Sequence, residues 1–276
     1  MDWVNRMNRA MDYIEEHLCE EADAEAIARI MACPYSAFVR SFSPITGISL
    51  SEYRRRRRLT MAAHDLQHTD LRVIDVAVKY GYDSADAFAA AFKRLHGMTP
   101  QEARQPGAQL KFYPRLRFTF ALVGVEEMTY SVVDKAPFSV LGVRRVTPTG
   151  GGTWALIKAD DTTERLWQKT GNPCRYGLCF GFAEDGSNDY MCGALYDGQE
   201  DGAFDRYDYP ACRFLVFTAK GSISGGGLWT AWQRIYGEFL PQSNYVQREL
   251  PYIEDYLLWD EEKDEMHVEI LIPVEG

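Results

Sequence analysis

Residues 74–100 read IDVAVKYGYDSADAFAAAFKRLHGMTP, and this stretch decides how the first part of the chain folds. A short apolar run ends at Tyr80, Gly81 suits a turn, and Ser84 can cap a second helix whose Phe88 and Phe92 stand one turn apart. Gly97 is placed to close that helix in a left-handed cap before Thr99-Pro100. A short helix, a tight turn and a second helix with an apolar stripe form a helix-turn-helix, whose second helix fits the ~12 Å major groove of DNA. An ordinary helical bundle shows the same Phe spacing, so pattern alone leaves both open.

The arrangement occurs twice. Phe38, Phe42 and Gly47 precede Phe88, Phe92 and Gly97 by 50 positions, and Ala28 precedes Ala77 by 49, so one residue has been added in the turn. The first copy predicts a short helix over 24–31 and, with Pro34 in its first turn, a second over 35–45. Met7, Met11, Ile14 and Leu18 share one helix face and predict a leading helix to about Glu21. Between the copies, Ser51 can cap a long helix through Tyr53, Leu59, Ala62 and Leu66.

A length of 276 residues favours two domains. The net charge of −10 seems to exclude nucleic acid, but it is unevenly spread. Residues 1–107 hold 14 Lys and Arg against 15 Asp and Glu, a net of −1; residues 108–276 hold 16 against 25, a net of −9. No run approaches the ~18 apolar residues of a membrane span, and the amphipathic N-terminus lacks a signal-peptide core. Cys19, Cys33, Cys174, Cys179, Cys192 and Cys212 show no metal-ligand spacing, so free thiols, a cytoplasmic protein and no metal or cofactor are expected.

Phe38-Val39-Arg40-Ser41-Phe42, Gly47, Tyr53, Arg58-Leu59, Ala62, Ala63 and Leu66 resemble the first half of the AraC/XylS regulator domain. Ile74-Asp75-Val76-Ala77, Gly81-Tyr82-Asp83-Ser84, Phe88, Phe92-Lys93 and Gly97-Met98-Thr99-Pro100 resemble its most diagnostic signature. The resemblance covers about residues 8–104. It implies two recognition helices in adjacent segments of the major groove: one presenting Ser36, Val39 and Arg40, the other Ala85, Asp86, Ala89 and Ala90, with Lys93 and Arg94 on the phosphates. A basic residue often stands where this chain has Ala90, so the second helix is expected to position more than to read. The run Arg54-Arg55-Arg56-Arg57-Arg58 points all round a helix. Arg58 is implied to be structural, Arg55 is kept as a backbone contact, and most of the run is expected to pair with acids such as Asp12, Glu15, Glu16, Glu20 and Glu21.

Pro106-Gly107 and Tyr113-Pro114 mark a linker, taken as 108–127 and expected to pack on the domain after it. Residues 128–276 then contain a second repeat, offset by 75. Gly150-Gly151-Gly152-Thr153-Trp154 matches Gly225-Gly226-Gly227-Leu228-Trp229, residues 138–143 match 213–218, and 191–195 match 266–270. Each copy predicts strands, a Gly-rich turn, a helix (154–169 and 228–239) and two more strands. The glycine triplets lack phosphate-loop spacing and are read as turns. The expected fold is an all-α double helix-turn-helix head, 1–107, and a duplicated α+β domain with a pseudo-twofold cleft, 128–276.

In residues 252–259, YIEDYLLW, strand alternation places Tyr252, Glu254, Tyr256 and Leu258 on one face and Asp255 on the other. Glu254 is then a carboxylate among tyrosines. Trp232, Ile235-Tyr236, Phe239-Leu240-Pro241, Tyr245, Leu250-Pro251, Glu254, Tyr256 and Ile272-Pro273-Val274 resemble a GyrI-like effector-binding domain, and the whole chain has a Rob-like plan. The resemblance implies that Glu254 meets organic cations in an aromatic cavity. Candidate walls are Trp154, Trp229, Trp232, Tyr176, Tyr252 and Tyr256, with Trp154 and Trp229 the first candidates for plain core.

The expected function is a cytoplasmic transcription regulator, an activator, with promoter DNA, RNA polymerase and a small amphipathic, cationic effector as partners, and no membrane. The alternatives are a GyrI-like hydrolase using Glu254 as general base, with Cys179 opposite it, and a protein-interaction module. Catalysis is the lesser reading, because no Cys-His or Ser-His pair accompanies Glu254.

Overall fold

The computed structural model describes residues 2–20, 23–119, 127–198 and 202–276. Among the described residues, the α-helices of the first part are α1 (Asp2–Glu16), α2 (Ala24–Met31), α3 (Tyr35–Thr46), α4 (Leu50–His68), α5 (Val73–Lys79) and α6 (Ala85–His96). By packing the chain falls into two units. One holds the segments up to Ala32 and from Leu50 into the linker; the other holds Cys33–Ser49, and so α3, with everything after the linker. No described helix is long and apolar enough to cross a membrane.

The boundaries in the first unit follow from caps. Asp23 accepts from the Ala26 N–H at 3.0 Å and Ser84 from that of Ala87 at 3.1 Å. Gly97, at φ +83°, directs its N–H back to the Lys93 carbonyl. Helix α1 ends at Glu16, short of the expected Glu21, and Ser51 lies inside α4 rather than capping it. Leu59, Ala62 and Leu66 of α4 pack with Val76 and Ala77 of α5 and with Phe88 and Phe92 of α6 in one core.

The arginine run is spent within the protein. Arg55 makes a bidentate pair with Glu52 at 2.8 Å, and Arg56 shares that carboxylate. Arg54 donates to the Glu20 carbonyl, and Arg58 lies over the Tyr82 ring at 5.8 Å. Arg57 and Glu15 form a pair in which each side chain is only 9% exposed, its two contacts at 2.8 Å. Burial pushes the Glu15 carboxyl up, but the Arg57 and Tyr53 donors outweigh it and hold it below the usual 4.5. Its contribution is therefore present above that pH and is lost as pH falls through the lower folded value. Glu15→Gln should cost about 3 kcal/mol at neutral pH, because it strands Arg57, and should flatten the acid limb of the stability curve. Thermal melts of both proteins from pH 7 to pH 3 test this; parallel curves would remove the pair from the account.

The linker corrects an expectation. Its described residues pack on the helical unit that precedes it: the Tyr113 carbonyl accepts from Arg57 at 2.6 Å, and Asn8 makes two hydrogen bonds with the Phe118 backbone. Asp12 pairs with Arg115. The linker therefore satisfies polar groups left at the surface of α1 and α4.

The second unit carries one antiparallel sheet. Its described strands are β1 (Tyr130–Lys135), β2 (Phe138–Thr147), β3 (Tyr176–Phe182), β4 (Asn188–Leu195), β5 (Asp205–Tyr209), β6 (Cys212–Gly221), β7 (Tyr252–Asp260) and β8 (Glu265–Val274), in the order β1-β6-β8-β7-β3-β4-β2-β5. Helices α7 (Gly150–Lys158) and α8 (Thr162–Thr170) follow β2; α9 (Gly227–Arg234) follows β6 and runs into a π turn over Ile235–Phe239. The offset of 75 is thus a structural duplication, with β2, β3 and β4 matching β6, β7 and β8, and the pseudo-axis falls between β3 and β7. The single helix expected over 154–169 is two, broken where the Asp160 carboxylate captures the Thr162 N–H at 2.9 Å. The triplet 150–152 lies in the first turn of α7 rather than before it, whereas Gly226 does precede α9.

Strand alternation gives the sheet two apolar layers. Leu215, Phe217, Ile270 and Ile272 face Ile157, Trp232, Ile235 and Tyr236 of the helical layer. Phe214, Val216, Leu271 and Ile253 form the layer on the opposite face.

Candidate functional site

The site lies where the two halves of the sheet meet. On β7, Tyr252, Glu254 and Tyr256 point toward the helices, and Asp255 points away to pair with Arg175 at 2.9 Å. Gly177 of β3 stands directly opposite Glu254. A Cβ at Gly177 would lie 1.7 Å from the Tyr190 hydroxyl, so the missing side chain is what lets that phenol, from β4, cross the strand. Tyr190 then donates to Glu254 Oε2 at 2.6 Å, and Tyr256 donates to the same oxygen at 2.8 Å. From α9, Trp232 Nε1 donates to Oε1 at 2.8 Å. Glu254 is 7% exposed and holds three hydrogen bonds from neutral aromatic donors. A carboxylate so buried is tolerable only with such donors, and they leave its charge available to a cation.

Aromatic faces surround it. Trp232 packs on Tyr252 at 4.4 Å and stacks on Tyr236 at 5.5 Å between centroids. A cavity of about 440 Å³ opens beside them, bordered also by Phe182, Trp229, Pro148 and, from α3, Arg40, Ser43 and Pro44. Burial first, and the charge of Glu254 with it, pushes the Tyr190, Tyr252 and Tyr256 phenols well above their usual range. They therefore remain protonated donors. Cys179 also faces this layer, but burial pushes its thiol up to about 12, and it donates to Asn188 at 3.0 Å. That is an inert thiol rather than a nucleophile.

The predicted wall residues divide. Trp232, Tyr252 and Tyr256 line the cavity, as does Trp229, which is 44% exposed and so not plain core. Trp154 reaches the site only through an edge contact with Tyr256 at 5.1 Å. Tyr176 is a correction. It lies on the opposite face of the sheet, beneath the Arg175 guanidinium, because β3 alternates and its Gly177 and Cys179 are the residues facing the helices. Tyr190 and Tyr236 were missed. Alternation groups Tyr190 with Cys192, but only the strand register shows which face they share.

The predicted DNA-facing residues also divide. On α6, Asp86, Ala90, Lys93 and Arg94 are exposed, and Ala85 and Ala89 are half-buried. On α3, Ser36 is half-buried, and Val39 and Arg40 are each only 5% exposed. Arg40 lies over the Tyr252 ring of the sheet unit, which gives it an interior position, and Val39 is buried as well. Arg55 is paired with Glu52 rather than free for phosphate.

Repeated helix-turn-helix segments, joined in one chain to a duplicated sheet with a carboxylate-centred cavity, define a two-domain protein with separate macromolecular and small-molecule functions. A helix-turn-helix domain family matches residues 27–106, and the GyrI-like small molecule binding domain family matches residues 128–275, more than half of the chain. The chain belongs to the proteins that carry a GyrI-like small molecule binding domain, and a helix-turn-helix domain precedes it. The HTH-type transcriptional activator RhaS of Enterobacter sp. (strain 638) is 33% identical over 100 residues, covering 36% of this chain and 36% of that protein. The activator AarP of Providencia stuartii is 41% identical over 88 residues, covering 32% of this chain and 65% of its own length. The chain thus spans about a third of RhaS and under two thirds of AarP. Among solved structures, SAV2435 bound to tetraphenylphosphonium aligns with a TM-score of 0.46 and 20% identity, over 54% of this chain and 95% of that one. EcmrR in its DNA complex within EcmrR-RPo aligns with a TM-score of 0.42 and 18% identity, over 54% and 58%.

Proposed function

We propose that this protein is a cytoplasmic transcription activator whose head, 1–107, binds promoter DNA and engages RNA polymerase, and whose domain over 128–276 binds an amphipathic organic cation. The observation that carries the ligand class is Glu254, a buried carboxylate held by three neutral donors inside a cavity walled by aromatic rings. Such rings add ~0.5–2 kcal/mol each to a desolvated cation, and the carboxylate supplies the charge complement. Sensing is favoured over hydrolysis because Cys179, which stands opposite Tyr252 rather than Glu254, is an inert thiol.

Calorimetric titration tests the ligand class. Tetraphenylphosphonium should bind at least about tenfold more tightly than the uncharged triphenylphosphine oxide, a difference of ~1.4 kcal/mol. Equal affinities would refute a site selected for charge. On the DNA side, retention of an upstream promoter fragment should fall log-linearly with salt. Lys93→Ala and Arg94→Ala should each reduce the slope by about 1 if each side chain neutralises one phosphate. Unchanged slopes in both variants would remove the end of α6 from the interface.

A further inference from the structure

We propose that Arg40 is the resident cation of the Glu254 cavity, so that an entering organic cation displaces it and frees helix α3. The inference rests on the cation-binding reading above and supplies its regulation. Arg40 is the only basic residue lining the cavity among the described residues. Its guanidinium lies 5.0 Å from the centre of the Tyr252 ring, the same ring that packs on Trp232 beside Glu254. It thus occupies the place that an aromatic cage offers to a ligand's charge.

The fit is incomplete, and this makes the position exchangeable. Arg40 Nε is buried without a hydrogen-bond partner, while the guanidinium is held by the Tyr236 hydroxyl in the same wall and by the Tyr252 ring. An arginine always carries its charge and brings five N–H donors, and each buried donor left unpaired costs stability. A ligand whose charge is shielded by apolar groups meets the same rings, and the carboxylate beside them, with no donors to satisfy. It is the better occupant.

Other residues of α3 also meet the sheet unit. Tyr35 donates to Glu184 near the β3–β4 turn, and Ile45 packs on the apolar layer. Yet Arg40 is also the residue of this helix best suited to read a base or hold a phosphate. One guanidinium cannot lie over Tyr252 and in a DNA groove together. Ligand binding and DNA engagement by α3 are therefore linked through a single side chain, and the linkage is reciprocal.

The test uses the full chain, titrated with tetraphenylphosphonium, together with hydrogen exchange of residues 35–46. If Arg40 fills the cavity about nine-tenths of the time, Arg40→Ala should bind the cation about tenfold more tightly. Arg40→Met, which keeps the apolar stem, should behave the same and serves if the alanine variant does not fold. In the wild type, saturating ligand should speed exchange across residues 35–46. Equal affinity in both proteins with unchanged exchange would overturn the displacement mechanism and leave the cation site standing. Absence of binding in the wild type and in both variants would overturn the cation site itself, and the displacement mechanism with it.

Discussion

Glu254→Gln is expected to weaken tetraphenylphosphonium binding by roughly 30-fold or more. Removing one partner of a buried charge pair costs about 2–5 kcal/mol, and each ~1.4 kcal/mol is a factor of ten. The substitution keeps the shape of the side chain and removes only its charge. The amide oxygen can still accept from Trp232 or from the phenols, and Tyr190 and Tyr256, as hydroxyls, can turn to accept from the new NH2 group. The folded state should therefore survive with a modest loss of stability, while affinity for the uncharged phosphine oxide changes little. Calorimetry on the wild type and the variant, with a thermal melt of each, separates the two effects. Equal cation affinity would mean that Glu254 is a structural acceptor and nothing more.

The second large effect is expected at a residue with no side chain. Gly177→Ala places a methyl group where the Tyr190 hydroxyl passes, with built distances of 1.7 Å to that oxygen and 2.5 Å to the ring carbon bearing it. Tyr190 is 1% exposed and cannot swing into solvent without opening the sheet. Overpacking of this kind costs about 1–3 kcal/mol, and here it also takes a donor from Glu254. Tyr190→Phe provides the comparison. It removes the same hydrogen bond without a clash, at about 1 kcal/mol. Gly177→Ala should lower the melting temperature more than Tyr190→Phe and weaken cation binding at least as much. A fully stable Gly177→Ala protein with unchanged affinity would show that Tyr190 does not need this route to the carboxylate.

Much of the molecule was legible because it is written twice. The spacing of 50 between Phe38 and Phe88 and the offset of 75 between the glycine triplets each fix an order of elements, and the sheet order shows the second as a duplication. Caps at Ser84 and Gly97 were readable because each is a local hydrogen-bond arrangement. The break between α7 and α8 was not, since a side chain competing for a backbone N–H at Asp160 leaves no mark in apolar spacing.

By itself the sequence determined two internally repeated domains, a carboxylate on one strand face with Tyr252 and Tyr256, and an arginine run too dense to lie on one surface. Those are properties of neighbours along a chain, set by the helical period and the strand period. Only the tertiary structure decided that Tyr190 and Trp232 complete the ring around Glu254, that Tyr176 belongs to the other face, and that Arg40 of α3 lies over Tyr252. Each depends on the register between strands or on which surface a helix meets, and a period along one segment carries no information about its partner across the sheet.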